Sequence, residues 1–204
     1  MTKFALAVVL LCSATVAAQE APTSTQTKVA SSVKKGTWDF GVVASGGTGL
    51  GYALDTHFAS AGGRAGLILT KEHGSGWRRG NFEWAVEALP MYMVFTPRRA
   101  VYGGSFVPAL WRWNFTSGRT IAPYASIAGG ILFSTRKLPP GDTSWVNFTP
   151  QAALGANFFV TPRGAVMIEG AYVHHSNAGL GTHNPGYNAA VFVTIGYTWF
   201  KRPD

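Results

Sequence analysis

Eight segments of this chain have strand-like composition between turn signals, most of them alternating apolar with polar residues, while the last is apolar on both faces and leaves its parity open. They fall at roughly 37–45, 63–71, 80–94, 101–115, 120–133, 146–160, 165–175 and 189–200. That period belongs to a β-strand with two different faces, because successive side chains point to opposite sides. In the third segment Phe82, Trp84, Val86 and Ala88 share one face, and Glu83 and Glu87 the other. In the fourth, Ala109, Trp111, Trp113 and Phe115 oppose Leu110, Arg112 and Asn114. Trp38, Phe40 and Val42 oppose Asp39, and Val166, Ile168 and Tyr172 oppose Glu169. The sixth segment sets Phe148, Ala152, Leu154 and Phe158 against Asn147, Thr149, Gln151 and Asn157. No later segment has the 18 or so consecutive apolar residues that a membrane-spanning helix needs.

Two folds satisfy this pattern. In a soluble β-sandwich the charged face is wet and the aromatic face is core. In a transmembrane barrel the aromatic face meets lipid and the charges pair inside. The N-terminus favours the barrel. Lys3, the apolar run Phe4–Leu11 and the small residues ending at Val16-Ala17-Ala18 read as a secretory signal peptide cleaved after Ala18. The one cysteine, Cys12, lies within it and follows Leu11, not the small residue of a lipoprotein signal, so the mature chain has no thiol chemistry. Charged residues are only 13% of the chain, a low share for a soluble surface. The expected organisation is a signal peptide at 1–18, a flexible lead-in at 19–36 and an eight-stranded antiparallel barrel from 37 to 204. The lumen should hold Asp39, Glu83, Glu87 and Glu169 with Arg64 and Arg112. The terminal Tyr197-Thr198-Trp199-Phe200 resembles the last strand of outer-membrane barrels, and Lys201–Asp204 extends past it.

Counting strands from periplasmic termini places the loops near 46–62, 95–100, 134–145 and 176–188 outside. The formal net charge is +8, which suits anionic partners. For an exported protein, anionic lipid is the better candidate and nucleic acid is not expected. Arg98, Arg99, Arg136 and Lys137 fall in the outer loops. They either hold lipid phosphates or are ordinary solvated charge. Gly46–Gly51 superficially resembles a nucleotide loop but lacks the strand-to-helix setting, so it reads as a loop. The tryptophans suit an interfacial girdle.

The chemistry concentrates at the far end of the seventh segment, His174-His175-Ser176-Asn177-Ala178-Gly179. On a strand, His174 and Ser176 face the same way, roughly 6.5–7 Å apart along the backbone. A serine hydroxyl is a weak nucleophile until a base takes its proton, and histidine suits that task near neutral pH. Asn188 returns on the last strand and can orient the imidazole through its amide oxygen. The Asn177 side chain and the N–H groups of Ala178 and Gly179 are candidate oxyanion donors. His175 falls on the opposite face and reads as structural. A metal held by His174, His175 and His183 is the alternative, without a nearby carboxylate or thiolate to complete it. No cofactor or metal is expected.

The run His-His-Ser-Asn-Ala-Gly-Leu-Gly-Thr-His-Asn-Pro-Gly-Tyr-Asn, residues 174–188, resembles the PagL (lipid A 3-O-deacylase) family. The resemblance implies an eight-stranded outer-membrane barrel that hydrolyses the ester-linked acyl chain at position 3 of lipid A, with lipopolysaccharide as substrate. It implies His174 as base, Ser176 as nucleophile and Asn177 as part of the oxyanion hole. The family's acidic third member falls on Asn188, an amide here. The competing class is a non-enzymatic small barrel, an adhesin or a scaffold.

Overall fold

A computed structural model describes residues 27–138, 144–181, 183 and 187–202, leaving the side chains of Tyr52, Tyr187 and Asn188 undescribed. The expected signal peptide lies outside these residues. Nine strands form one antiparallel sheet: β1 (Trp38–Gly49), β2 (His57–Ile68), β3 (Gly80–Thr96), β4 (Arg99–Phe115), β5 (Ile121–Leu138), β6 (Ser144–Phe148), β7 (Gln151–Thr161), β8 (Gly164–His175) and β9 (Tyr187–Lys201). Strands β6 and β7 both pair with β5, and Thr149-Pro150 separates them. Pro150 has no N–H to give the ladder, so one stave is recorded as two pieces. The barrel is therefore eight-stranded. It closes through β1 on β9, leaving no long edge unpaired.

Closure rules out the sandwich and sorts the two faces. Trp38, Phe40, Phe82, Trp111, Ile127, Leu154, Ile168, Tyr172, Val193 and Trp199 are exposed on the outside. Asp39, Arg64, Glu83 and Arg112 are buried inside, as the alternation requires. Arg64 pairs with Asp39 at 3.6 Å, with Glu83, and with Glu87 at 4.0 Å. Arg112 reaches Glu83 at 3.6 Å and Glu169 at 3.7 Å, and its guanidinium lies 3.8 Å from the centre of the Tyr124 ring. A Cβ on Gly66 would fall 2.5 Å from an Asp39 carboxylate oxygen, so glycine there makes room for the network.

Several elements differ from expectation, among them Gly46–Gly49, which continue β1 where a loop was expected. Strand β2 begins at His57, not near 63, because Ala59, Ala61, Gly62 and Gly63 pair with β1 without any apolar alternation to announce it. Part of the lead-in is ordered: a short helix, α1 (Lys28–Ser32), is capped by the Thr27 hydroxyl accepting from Ala30 N–H at 3.1 Å. It closes the terminal end by packing Val29 and Val33 onto Ile68, Ala122, Phe159, Ala165 and Phe200. The long 69–79 connection at that end is folded, with a 3₁₀ turn at Gly76–Arg78 and a bridge between His73 and Gly80.

Candidate active site

Strand β8 carries the site to the end of the barrel opposite the termini. Its alternation holds to the tip: Ile168 and Tyr172 are exposed, Val173 and His175 are buried, and His174 and Ser176 are half-buried on the outer side. Both candidate side chains thus leave the strand on the lipid-facing wall. The backbone beneath them is fixed from the neighbouring stave. His174 N–H donates to the Pro150 carbonyl at 2.9 Å, and Ser176 forms a two-way bridge with Phe148 at 2.6 and 3.1 Å.

His175 fills the space behind them. It is 2% exposed, stacks on Phe58 at 4.9 Å between centroids, and its Nε2 is hydrogen-bonded to the Tyr92 hydroxyl at 2.9 Å. Phe192 completes the cluster. His174 and His175 leave the wall on opposite sides, so that pair cannot share an ion as the metal alternative requires. Tyr92 and Phe58 were not singled out by the sequence. Strict alternation from Phe82 points Tyr92 outward, but a register shift between Leu89 and Tyr92, around Pro90, turns it inward.

Beyond Ser176 the chain turns sharply. Ala178 (φ 49°) and Gly179 (φ 83°) are both left-handed, and Leu180 N–H donates to the Asn177 carbonyl at 2.9 Å. This is the mirror-image turn in which both central residues have positive φ, unusual for alanine. Asn177 is buried, on the side opposite Ser176, and its amide nitrogen donates to the His183 carbonyl at 2.9 Å. Its amide oxygen takes the Gly179 N–H at 2.9 Å. Asn177 and Gly179 therefore brace the turn. The Ala178 N–H has no acceptor among the described residues.

Across the hairpin, Val173 pairs with Ala190 and His175 with Tyr187. Residues 188 and 189 together face His174 alone, a bulge in β9. Below it, Val191, Val193, Ile195 and Trp199 are exposed while Phe192 and Phe200 are buried, which settles a parity that the all-apolar strand left open.

Directly below His174, on the lipid side, the wall is hollowed. An open depression of about 400 Å³ runs from Tyr172 over Ala152, Leu154, Ala125 and Gly170. Gly170 and Leu154 are cross-strand partners, as are Leu154 and Ala125. Arg98, in the turn between β3 and β4, and Arg99, Arg136 and Lys137, at the tips of β4 and β5, are exposed at the same end.

Solved structures similar to this chain include outer-membrane β-barrels. The outer membrane enzyme PagL matches with a TM-score of 0.55 and 18% identity, covering 78% of this chain and 98% of its own. The N-terminal β-barrel domain of Pseudomonas aeruginosa OprF matches with a TM-score of 0.52 and 13% identity over 82% and 98%. Neisserial surface protein A matches with a TM-score of 0.50 and 14% identity over 81% and 97%. These likenesses establish the barrel. No curated protein matches the sequence. The family model of lipid A 3-O-deacylase (PagL) matches residues 15–198. That span takes in the barrel up to the last three residues of β9, together with the histidine–serine strand end, and the chain belongs to the lipid A 3-O-deacylase family of outer-membrane enzymes.

Proposed function

We propose that this protein is a serine esterase that removes the acyl chain at position 3 of lipid A from lipopolysaccharide. The observation that carries the reading is the emergence of His174 and Ser176 together on the outer wall at the loop end, half-buried, above a furrow of small residues. His174 takes the hydroxyl proton of Ser176 as its Oγ attacks the ester carbonyl. The carbonyl oxygen becomes an oxyanion, and the Ala178 N–H is the donor for it. The sugar oxygen leaves with the proton from the imidazolium. A water then gives its proton to His174, attacks the acyl-serine carbonyl, and releases the fatty acid and the free hydroxyl of Ser176.

Asn188 is the residue we assign to orient His174. It lies in the bulge opposite His174, and a bulge reverses the facing of the residues beyond it. An amide orients an imidazole as a carboxylate does, but lends the imidazolium no negative charge. The furrow below Tyr172 takes the scissile acyl chain. Arg98, Arg99, Arg136 and Lys137 take the lipid A phosphates, for which guanidinium forks are well shaped.

The test is direct. Purified protein is incubated with lipopolysaccharide and lipid A mass is followed. Wild type removes one hydroxyacyl chain. Ser176→Ala, folded by heat-modifiable gel migration, is slower by at least about a thousandfold. Unchanged lipid A mass with folded wild type overturns the assignment and favours the scaffold or adhesin class.

A further inference from the structure

The terminal end of the barrel carries a second lipid-facing hollow, the full length of the wall away from Ser176. It is open, about 390 Å³, and lined by Trp38 and Phe40 of β1 with Lys201 and Arg202 at the end of β9. Trp38 is the cross-strand partner of Lys201, so both side chains leave the wall on the same face. The Trp38 and Phe40 rings stack at 6.2 Å and 11°. The hollow is therefore aromatic at Phe40 toward the hydrocarbon, with Trp38 and Lys201 level with each other and Arg202 one residue nearer water. Tryptophan prefers that level of a membrane, and cations just beyond it attract anionic headgroups.

Among the described residues the cations of the hollow have no carboxylate partner. Lys201 and Arg202 are both exposed. Exposed Arg163 stands beside them, its carbonyl accepting from Phe200 N–H at 2.8 Å. Exposed Lys35 precedes β1. Glu72, in the long turn at this end, already faces Arg79 at 3.7 Å. Two neighbouring cations suit a phosphate diester, and two exposed rings suit an acyl chain.

We propose that this seam binds one anionic glycerophospholipid of the inner leaflet, phosphate on Lys201 and Arg202, acyl chain on Trp38 and Phe40. The inference rests on the barrel standing in the outer membrane with its termini inward. Lipopolysaccharide then occupies the leaflet at the other end, so the phosphates within reach here belong to glycerophospholipids.

Native mass spectrometry of the full chain, released from neutral detergent, tests this with palmitoyl-oleoyl phosphatidylglycerol and phosphatidylcholine as separate probes. Wild type retains phosphatidylglycerol more tightly than phosphatidylcholine. At about 1 kcal/mol per cation near a membrane surface, each of Lys201→Gln and Arg202→Gln weakens phosphatidylglycerol retention about fivefold, and the double variant about thirtyfold. Phosphatidylcholine retention does not change. Trp38→Ala weakens both lipids. Excess inorganic phosphate leaves the lipid bound. Equal retention of the two lipids by wild type, a double variant that keeps phosphatidylglycerol as well as wild type does, or displacement by inorganic phosphate each overturns the proposal. Heat-modifiable gel migration checks that the variants fold. Retention is read without any deacylation assay, so it stands or falls apart from the esterase assignment.

Discussion

The interior of this barrel is built differently at its two ends. Near the termini and up to mid-height, Arg64 and Arg112 are set among Asp39, Glu83, Glu87 and Glu169. Under the candidate site, Phe58, Tyr92, Val94, Leu132, His175 and Phe192 fill the space, with one described hydrogen bond between Tyr92 and His175. All four inward carboxylates sit at or below the middle of their strands. The two ends therefore hold the wall together by different means. One locks five strands by charge. The other packs the last turn of β8 from behind and brings no buried charge near the proposed base. Stability and catalysis should then be separable by mutation.

The largest expected effect is at the charged end. Glu83 contacts both arginines and accepts from Asn114 at 2.8 Å. Glu83→Gln leaves two buried guanidinium groups short of an anion. Breaking one partner of a buried ionic network costs about 3–5 kcal/mol. The measurement is the urea midpoint of the barrel reconstituted in bilayers. The fraction that folds should deacylate lipopolysaccharide at the wild-type rate, because nothing in the network touches the rim.

His175→Leu reverses that result. The variant keeps an apolar filler but loses the contact with Tyr92 and the flat stack on Phe58. His174 and Ser176 flank position 175, so a small rotation of the strand end moves both. A misplacement on the ångström scale costs up to about a hundredfold in rate. We expect kcat to fall between about tenfold and about a hundredfold, KM to change little, and the urea midpoint to shift less than in Glu83→Gln. Asn188→Asp adds the charge this end lacks. Placed opposite His174, a carboxylate steadies the imidazolium formed during attack, and kcat should rise about tenfold, a gain of about 1.4 kcal/mol in the barrier. A fall in kcat would remove Asn188 from the proposed triad.

This contrast also marks what could be read in advance. The charged end was legible because alternation is a local property: Asp39, Glu83, Arg112 and Glu169 each interrupt an apolar strand at the correct parity. His174 and Ser176 were legible for the same reason, being one strand period apart. The aromatic end was not. Tyr92 lies beyond a register shift at Leu89–Tyr92, and β4 has another between Phe106 and Ala109. Pro90 and Pro108 fall within these two shifts, each unable to donate to the ladder. One such slip exchanges inside for outside for all residues that follow. The turn at Ala178-Gly179 was not legible either, because it takes its left-handed shape from bonds to Asn177 that spacing cannot reveal. Helix α1 was read as lead-in because five residues are too few to show a period.

The finest division of the two ends comes from Tyr92→Phe. This variant removes one hydroxyl and leaves the Phe58 stack on His175 in place. The buried hydrogen bond is worth about 1 kcal/mol net, so the barrel should lose no more than that in urea. If the bond serves the site, its loss should appear mainly in kcat, by about fivefold for about 1 kcal/mol. Tyr92→Phe and His175→Leu should also be non-additive when combined, since each removes the same contact. Additive losses, or a stability loss as large as that of Glu83→Gln with kcat unchanged, would mean that the aromatic end is ordinary core. The position of His174 and Ser176 would then owe nothing to what lies behind it, and the backbone bonds to Phe148 and Pro150 alone would have to hold the strand end in register.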